Sequence, residues 1–138
     1  MAEHTPFPVQ VMTPEGELFA GDVQMVSTRT TIGSIGVLAN HEPLLATLEP
    51  TELRIYVTES EIVRFAQSEG YMQVGGNQAL LLLQEAHRPD ALDVAELRGR
   101  LAEAEREISG SEEDSERRRT AERERRRLDA FLRIGEGR

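Results

Sequence analysis

The sequence predicts an α+β protein: an N-terminal antiparallel β-sandwich over residues 1–87, then a C-terminal antiparallel two-helix hairpin over residues 88–138. Three observations predict it. Apolar residues in the first part alternate with polar ones at a period near two, between turn signals. In the second part they recur at spacings of three and four. The charge changes character at the same place. Residues 1–87 hold three Arg and 11 acids, whereas residues 88–138 hold 13 Arg and 14 acids, with the shift near Glu85-Ala86-His87-Arg88-Pro89.

Taken in order, Val9-Gln10-Val11 and Val23-Gln24-Met25-Val26 alternate, as do Leu53-Arg54-Ile55-Tyr56-Val57 and Ile62-Val63-Arg64-Phe65. Turns are expected at Pro14-Glu15-Gly16, Ala20-Gly21-Asp22, Glu49-Pro50-Thr51, Glu59-Ser60-Glu61 and Gly75-Gly76-Asn77, where Gly, Pro and short polar residues break a strand pattern. The run Ala79-Leu80-Leu81-Leu82-Leu83 fits a strand buried on both faces, being short and bounded by Gly-Gly-Asn. Asp90, with Asp93 three residues on, fits a helix start. Leu97, Leu101, Ala104 and Ile108 follow on one stripe, and Gly110 fits a C′ residue that ends the helix. Ser111-Glu112-Glu113-Asp114 offers the second cap and an acidic first turn. From Ser115 to Arg127 the second helix has one apolar residue, Ala121, before Leu128, Phe131, Leu132 and Ile134. It therefore leans on pairs such as Glu122–Arg126 and Glu116–Arg119, each worth about 0.2–0.5 kcal/mol. A hairpin so held is expected to dock weakly and to be able to leave its seat.

Composition removes several functions. The net charge is −9, with 25 acids against 16 basic residues, every one of them Arg. An acidic chain is poorly matched to nucleic-acid phosphates. Absence of cysteine excludes disulfides, thiolate metal sites and a cysteine nucleophile. No apolar run approaches the roughly 20 residues of a membrane span, so contact with a membrane is expected through partners, without direct insertion. Met1 to Pro8 has neither basic flank nor apolar core, so no signal peptide is expected. His4, His41 and His87 lack ligand spacing. A phosphate loop of the G-x-x-x-x-G-K-[ST] kind is impossible without Lys. Gly33-Ser34-Ile35-Gly36 is followed by no helix pattern that would present amides to phosphate. No enzyme, cofactor or metal is expected.

Two segments stand out as contact surfaces. Ile32-Gly33-Ser34-Ile35 is an apolar turn, unusual where loops are normally polar; it fits either a contact surface or a tucked-in turn. Pro43 cannot donate to a sheet ladder and marks an edge, a bulge or a strand start. His41 reads as a structural residue bonding backbone, with a titrating role as the alternative. The segment 117–127 carries seven Arg and two Glu. Its guanidinium forks suit carboxylates and phosphates, which leaves three readings open: nucleic acid, an acidic protein surface, or a solvated self-paired helix. The neighbouring acidic domain and the lack of aromatics weigh against nucleic acid.

Gly33, Gly36, Val37, Leu38, His41, Pro43, Leu44 and Leu45 match the pattern G-x-x-G-V-L-x-x-H-x-P-L-L, which resembles the epsilon subunit of F-type ATP synthases. Thr13-Pro14-Glu15-Gly16-Glu17-Leu18-Phe19-Ala20-Gly21 looks like that family's opening hairpin. Glu69-Gly70-Tyr71-Met72-Gln73-Val74 looks like its G-G-(Phe/Tyr)-x-x-V segment, with Glu69 in place of the first Gly. The resemblance covers about residues 7–86. It implies a non-catalytic rotor subunit that couples a catalytic head to proton flow and restrains ATP hydrolysis through its C-terminal helices. The implied partners are the gamma subunit, the ring of c subunits and the alpha/beta head. The resemblance places Ile32, Gly33, Ser34 and Ile35 against the c ring, and His41, Pro43, Leu44 and Tyr71 against gamma. It places Arg117, Arg118, Arg119, Arg123, Arg125, Arg126 and Arg127 against acidic beta segments. The implied location is peripheral, on the cytoplasmic face of a bacterial plasma membrane. A free-standing β-sandwich adaptor, whose Arg-rich tail binds an acidic protein or RNA, is the alternative.

One departure from the family matters. Some members bind ATP through an (Ile/Leu)-Asp-x-x-Arg-Ala motif, which Leu92-Asp93-Val94-Ala95 begins here, but Glu96 and Leu97 stand where Arg and Ala would. Arg98 lies two positions further, about 200° around a helix. A carboxylate there repels phosphate, so weak or no ATP binding is expected.

Overall fold

The computed structural model describes residues 4–137. Among them are ten strands: β1 Phe7–Thr13, β2 Gly16–Val23, β3 Met25–Thr30, β4 Gly33–Val37, β5 Leu44–Leu48, β6 Thr51–Tyr56, β7 Ile62–Gln67, β8 Gly70–Gly75, β9 Gln78–Leu83 and β10 Ala86–His87. A 3-10 turn at Pro89–Ala91 leads to two helices, α1 Val94–Ser109 and α2 Glu116–Gly135. The chain falls into two compact units that divide between His87 and Arg88.

In the first unit the strand order is β10-β7-β6-β3-β5-β8-β9-β1-β2, with β4 on the other side of β3. Strand β3 is the fold line. Its Met25, Val26 and Ser27 pair with Tyr56, Ile55 and Arg54 of β6, while Thr30 at its far end pairs with Leu48 of β5. One ladder thus continues into two layers, whose inner faces meet in a core of Phe7, Val9, Val11, Val26, Leu53, Ile55, Met72 and Leu81. All pairings are antiparallel except β1 with β9, which run parallel. The β1–β2 and β8–β9 hairpins lie side by side, and no short turn dictates the direction of the strands where they meet.

The chain crosses between layers at the β5–β6, β7–β8 and β9–β10 connections. Two fully buried polar side chains, Gln67 and Ser68, lie there. The Thr28 hydroxyl donates to Gln67 Oε1 at 2.6 Å, and Gln67 Nε2 donates to the Glu49 carbonyl at 2.7 Å. Ser68 Oγ accepts from the Glu85 amide at 2.8 Å and donates to the Glu69 carbonyl at 3.0 Å. Backbone groups that leave a ladder at a buried corner need such partners. Beyond Ser68, a Cβ on Gly70 would sit 2.1 Å from the Leu82 carbonyl oxygen and 2.9 Å from Leu83 Cα, so β8 approaches β9 here as only glycine allows.

Several expectations from sequence need correction. Ala20-Gly21-Asp22 makes no turn; β2 runs through it, paired with β1. The leucine run is buried on one face only: Leu81 and Leu83 point inward, and Leu82 is 47% exposed, because β9 has a second layer on just one side. In the second unit Asp93, not Asp90, caps α1, accepting from the Glu96 amide at 3.1 Å. The prolyl turn at Pro89–Ala91 delays the helix. Gly110 ends α1 with φ −92°, without a left-handed residue. Ser115, not the Ser111 segment, caps α2 through the Arg118 amide. The apolar stripe stands as read, with Leu97, Ala104 and Ile108 buried and Leu101 half-buried.

Gln67→Leu keeps the side-chain bulk and leaves the Thr28 hydroxyl and the Glu49 carbonyl unpartnered. It is expected to cost about 2–6 kcal/mol in urea unfolding, at roughly 1–3 per orphaned group. Gln73→Leu, an exposed position on β8, is expected to stay within about 0.5 kcal/mol.

Candidate functional site

The β3–β4 connection is a tight turn in which Thr30 faces Gly33. The Thr30 hydroxyl accepts from the Ile32 amide and donates to the Gly33 carbonyl. Gly33, at φ 135°, supplies a conformation a side chain would oppose. With the backbone bonded internally, Ile32 is pushed out and is 96% exposed. The segment 32–35 divides: Ile32 and Ser34 are exposed, whereas Ile35 packs against the core.

A second apolar surface lies on the outer face of β5, β8 and β9. Thr47, Tyr71 and Leu82 stand opposite one another across the three strands, and Leu45, Gln73 and Leu80 form the next row. Leu45 is 74% exposed and Tyr71 58%. Met12 and Pro14 join Tyr71, Leu82 and Thr47 around a shallow depression. Single exposed leucines are ordinary; several large apolar side chains on one sheet face mark a contact surface.

The expected residues separate on this face. Tyr71 points outward. Pro43 is exposed just before β5 begins, a strand start, which is one of the three positions open to it from sequence. Leu44 packs against the core, because it pairs with the buried Val74, and its neighbour Leu45 carries the outward position. His41 is half-buried; its amide donates to the Leu38 carbonyl at 3.2 Å, and its Nδ1 donates to the Glu42 carbonyl at 2.7 Å. That is the backbone-bonding histidine expected from sequence. Leu45 and Leu82 were legible only through register, since adjacent leucines hide which face each takes.

The seven arginines of the 117–127 segment of α2 are less free than their sequence suggests. Arg118 pairs with Glu122 at 3.4 Å, and Arg119 with Glu116 at 2.9 Å. Arg123 lies 3.8 Å from Glu116, and Arg127 pairs with Glu124 at 3.2 Å. Glu122 thus takes Arg118 rather than the expected Arg126. Three further pairs join the helices of this unit: Arg100 to Glu124 at 2.7 Å, Arg117 to Glu107, and Arg98 to Glu136. Between them Ala104 and Ala121 form a buried seam of small side chains at the floor of a groove. Sequence patterning missed the cross-helix pairs because they depend on how two helices face each other. Among the described residues no cluster fits a metal ion, and no helix is long and apolar enough to cross a membrane.

These features define a class: a β-sandwich that displays large apolar side chains outward, followed by a charge-paired helical hairpin. Residues 6–89 match the family described as ATP synthase, Delta/Epsilon chain, beta-sandwich domain. The chain is 35% identical over 106 residues to the ATP synthase epsilon chain of Persephonella marina, covering 77% of this chain and 78% of that one. It is 32% identical over 126 residues to the epsilon chain of Sulfurihydrogenibium sp., covering 91% and 94%. A chain in a cryo-EM structure of Euglena gracilis mitochondrial ATP synthase, with OSCP, F1 and c-ring, superposes with TM-score 0.80 over 95% of this chain and 82% of that one. At 20% identity, it shows the same fold. The chain belongs to the ATP synthase epsilon chain family, whose members are non-catalytic subunits of the complex.

The hairpin's ion pairs leave an electrostatic signature. Hydrogen bonding from Arg117 holds the Glu107 carboxyl below the ordinary glutamate range, and Arg119 does the same to Glu116. A depressed carboxylate contributes stability above its unfolded value, about 4.3, and loses it as pH falls through the folded value. In a carbon-detected NMR titration Glu107 is therefore expected to protonate below that value. Arg117→Ala is expected to return Glu107 to the ordinary range and leave Glu116 low.

Proposed function

We propose that this chain is a rotor subunit in the central stalk of a proton-translocating rotary ATP synthase. It would couple the catalytic head to the c ring and restrain ATP hydrolysis through its helical hairpin. The observation that carries this reading is the outward apolar face of β5, β8 and β9, on a chain of the epsilon family. In this reading Tyr71, Leu45 and Leu82, with Pro43 at the strand entry, meet gamma. Leu44 and His41 support that face from behind, by packing and by backbone bonding. Ile32 and Ser34 at the β3–β4 turn meet the c ring, with Gly33 and Ile35 fixing the shape of the turn. Arg117, Arg118, Arg119, Arg123, Arg125, Arg126 and Arg127 supply the grip on acidic beta segments. Attachment to the cytoplasmic face of a bacterial plasma membrane follows through these partners.

The test is ATP hydrolysis by a cognate enzyme core lacking this subunit, with either the full chain or a chain ending at His87 added back. Both are expected to bind, and only the full chain to slow hydrolysis. Tyr71→Asp together with Leu45→Asp is expected to weaken binding to gamma by about 30-fold or more, the loss typical of a buried aromatic anchor. Binding unchanged by that double substitution would place the gamma surface elsewhere.

A further inference from the structure

The arginines of α2 fall into groups that respond differently when the helices part. Pairs within α2 (Arg118–Glu122, Arg119–Glu116 and Arg127–Glu124) travel with the helix. Among the described residues, Arg125 and Arg126 are exposed with no carboxylate within 4.0 Å. Arg117 belongs to neither group, because its partners lie on the other arm of the hairpin. Its Nε donates to Glu107 of α1, and its Nη1 donates to the carbonyl of Gly110, the cap of α1, at 3.4 Å. A guanidinium fork engages one carboxylate well, edge to edge. With Nε committed to Glu107 and Nη1 to the Gly110 carbonyl, an incoming acid meets the Glu107 charge beside the remaining Nη donors, and it engages Arg117 fully only by displacing Glu107.

We propose that Glu107 is a built-in competitor that masks Arg117 from acidic protein segments. Arg125 and Arg126 offer the first contact on a closed hairpin. Arg117 joins fully only when its bond to Glu107 is given up, so each acid contact made there removes one of the ties between α1 and α2. This inference rests on the reading that the arginine helix meets acidic protein segments, and it adds that α1 sets how readily α2 does so. An exposed pair of this kind contributes little by itself, so the mask acts as a threshold rather than a lock. Glu105, exposed on the same helix, has the same charge and no ion pair among the described residues, which makes it the natural control.

The experiment follows the arginine Nε–Hε signals of the full chain by NMR while a deca-glutamate peptide is titrated in at low ionic strength. Glu107→Ala is expected to lower the midpoint at which Arg117 responds by about two- to five-fold. Glu105→Ala is expected to leave that midpoint unchanged, and Arg125 and Arg126 to respond alike in all three proteins. Circular dichroism should give unchanged helix content for both variants, since Ala favours helix. Equal midpoints in the wild type and Glu107→Ala overturn the proposal. So do equal shifts in both variants, which would mean general charge, and so does a peptide that moves no arginine signal. Hydrolysis by the cognate core distinguishes the two levels. A full chain that fails to slow it sinks the inhibitory role, while the competition between Glu107 and the peptide stands or falls on its own signals.

Discussion

The corner at which the two layers of the first unit join rests on the buried amide of Gln67. The sheet folds over on β3, and the chain crosses between layers at three connections that lie together. At such a corner the ladder cannot satisfy every backbone group, and an orphaned one costs on the order of 1–3 kcal/mol. Gln67 answers with a donor and an acceptor on one planar group, holding the Thr28 hydroxyl and the Glu49 carbonyl. Ser68 does the same for the Glu85 amide and the Glu69 carbonyl. A carboxylate at position 67 would accept but not donate, and would bring a buried charge; an aliphatic residue would do neither.

The second unit is held by different physics. Its apolar contribution is concentrated at Leu97, Ala104 and Ile108 of α1 and at Ala121, Leu128, Phe131 and Leu132 of α2. Between Ser115 and Arg127 only Ala121 adds to it, so over that length the helices are joined by a narrow small-residue seam and by ion pairs. Exposed pairs contribute modestly and are screened by salt. The stretch richest in arginine is therefore the stretch least committed to burial. Segments that rearrange are drawn from the least stable parts of a fold, and a charged seam with a small-residue floor can part without exposing much apolar surface to water.

How legible this was in the sequence depended on whether a feature was local. Most of the strand runs, most of their turns and the apolar stripe of α1 follow from periods of two and 3.6; the exception among the strands is Val23-Gln24-Met25-Val26, which a bend at Gln24 divides between β2 and β3. The motif from Gly33 to Leu45 pointed to the right family. The helix starts were missed by a few residues, because Asp90 and Asp93, and likewise Ser111 and Ser115, are equally good caps; the choice fell to a prolyl turn and to Asp114 at φ 59°. Facing was harder. Nothing local separates Leu44 from Leu45, or Leu82 from Leu81 and Leu83, so sequence reads the run as doubly buried and does not show that Leu45 is the outward residue of its pair. Nor does helix spacing reveal that Arg117 finds Glu107, since that pairing belongs to the turn between helices.

Facing is fixed by register, and register ties the interior to the contact surface. A slip of one residue in β8 would send Tyr71 into the core and bring Met72 out. Two features at its ends prevent that. At one end Gly70 stands against the Leu82 carbonyl where a Cβ has no room, so neither neighbour, Glu69 or Tyr71, can take its place. At the other, Gly76 and Asn77, at φ 58° and 60°, form the two-residue turn into β9, a geometry that demands residues tolerant of left-handed backbone at both positions. Asn77 also accepts from the Asn40 amide at 2.7 Å, which ties the entry of β5 to the same corner. Tyr71 and Leu45 are thus outward for reasons located elsewhere: in a glycine with no room for a methyl group, and in a turn that admits few sequences. Residues that lie outside the exposed apolar face can therefore be as necessary to it as those that form it.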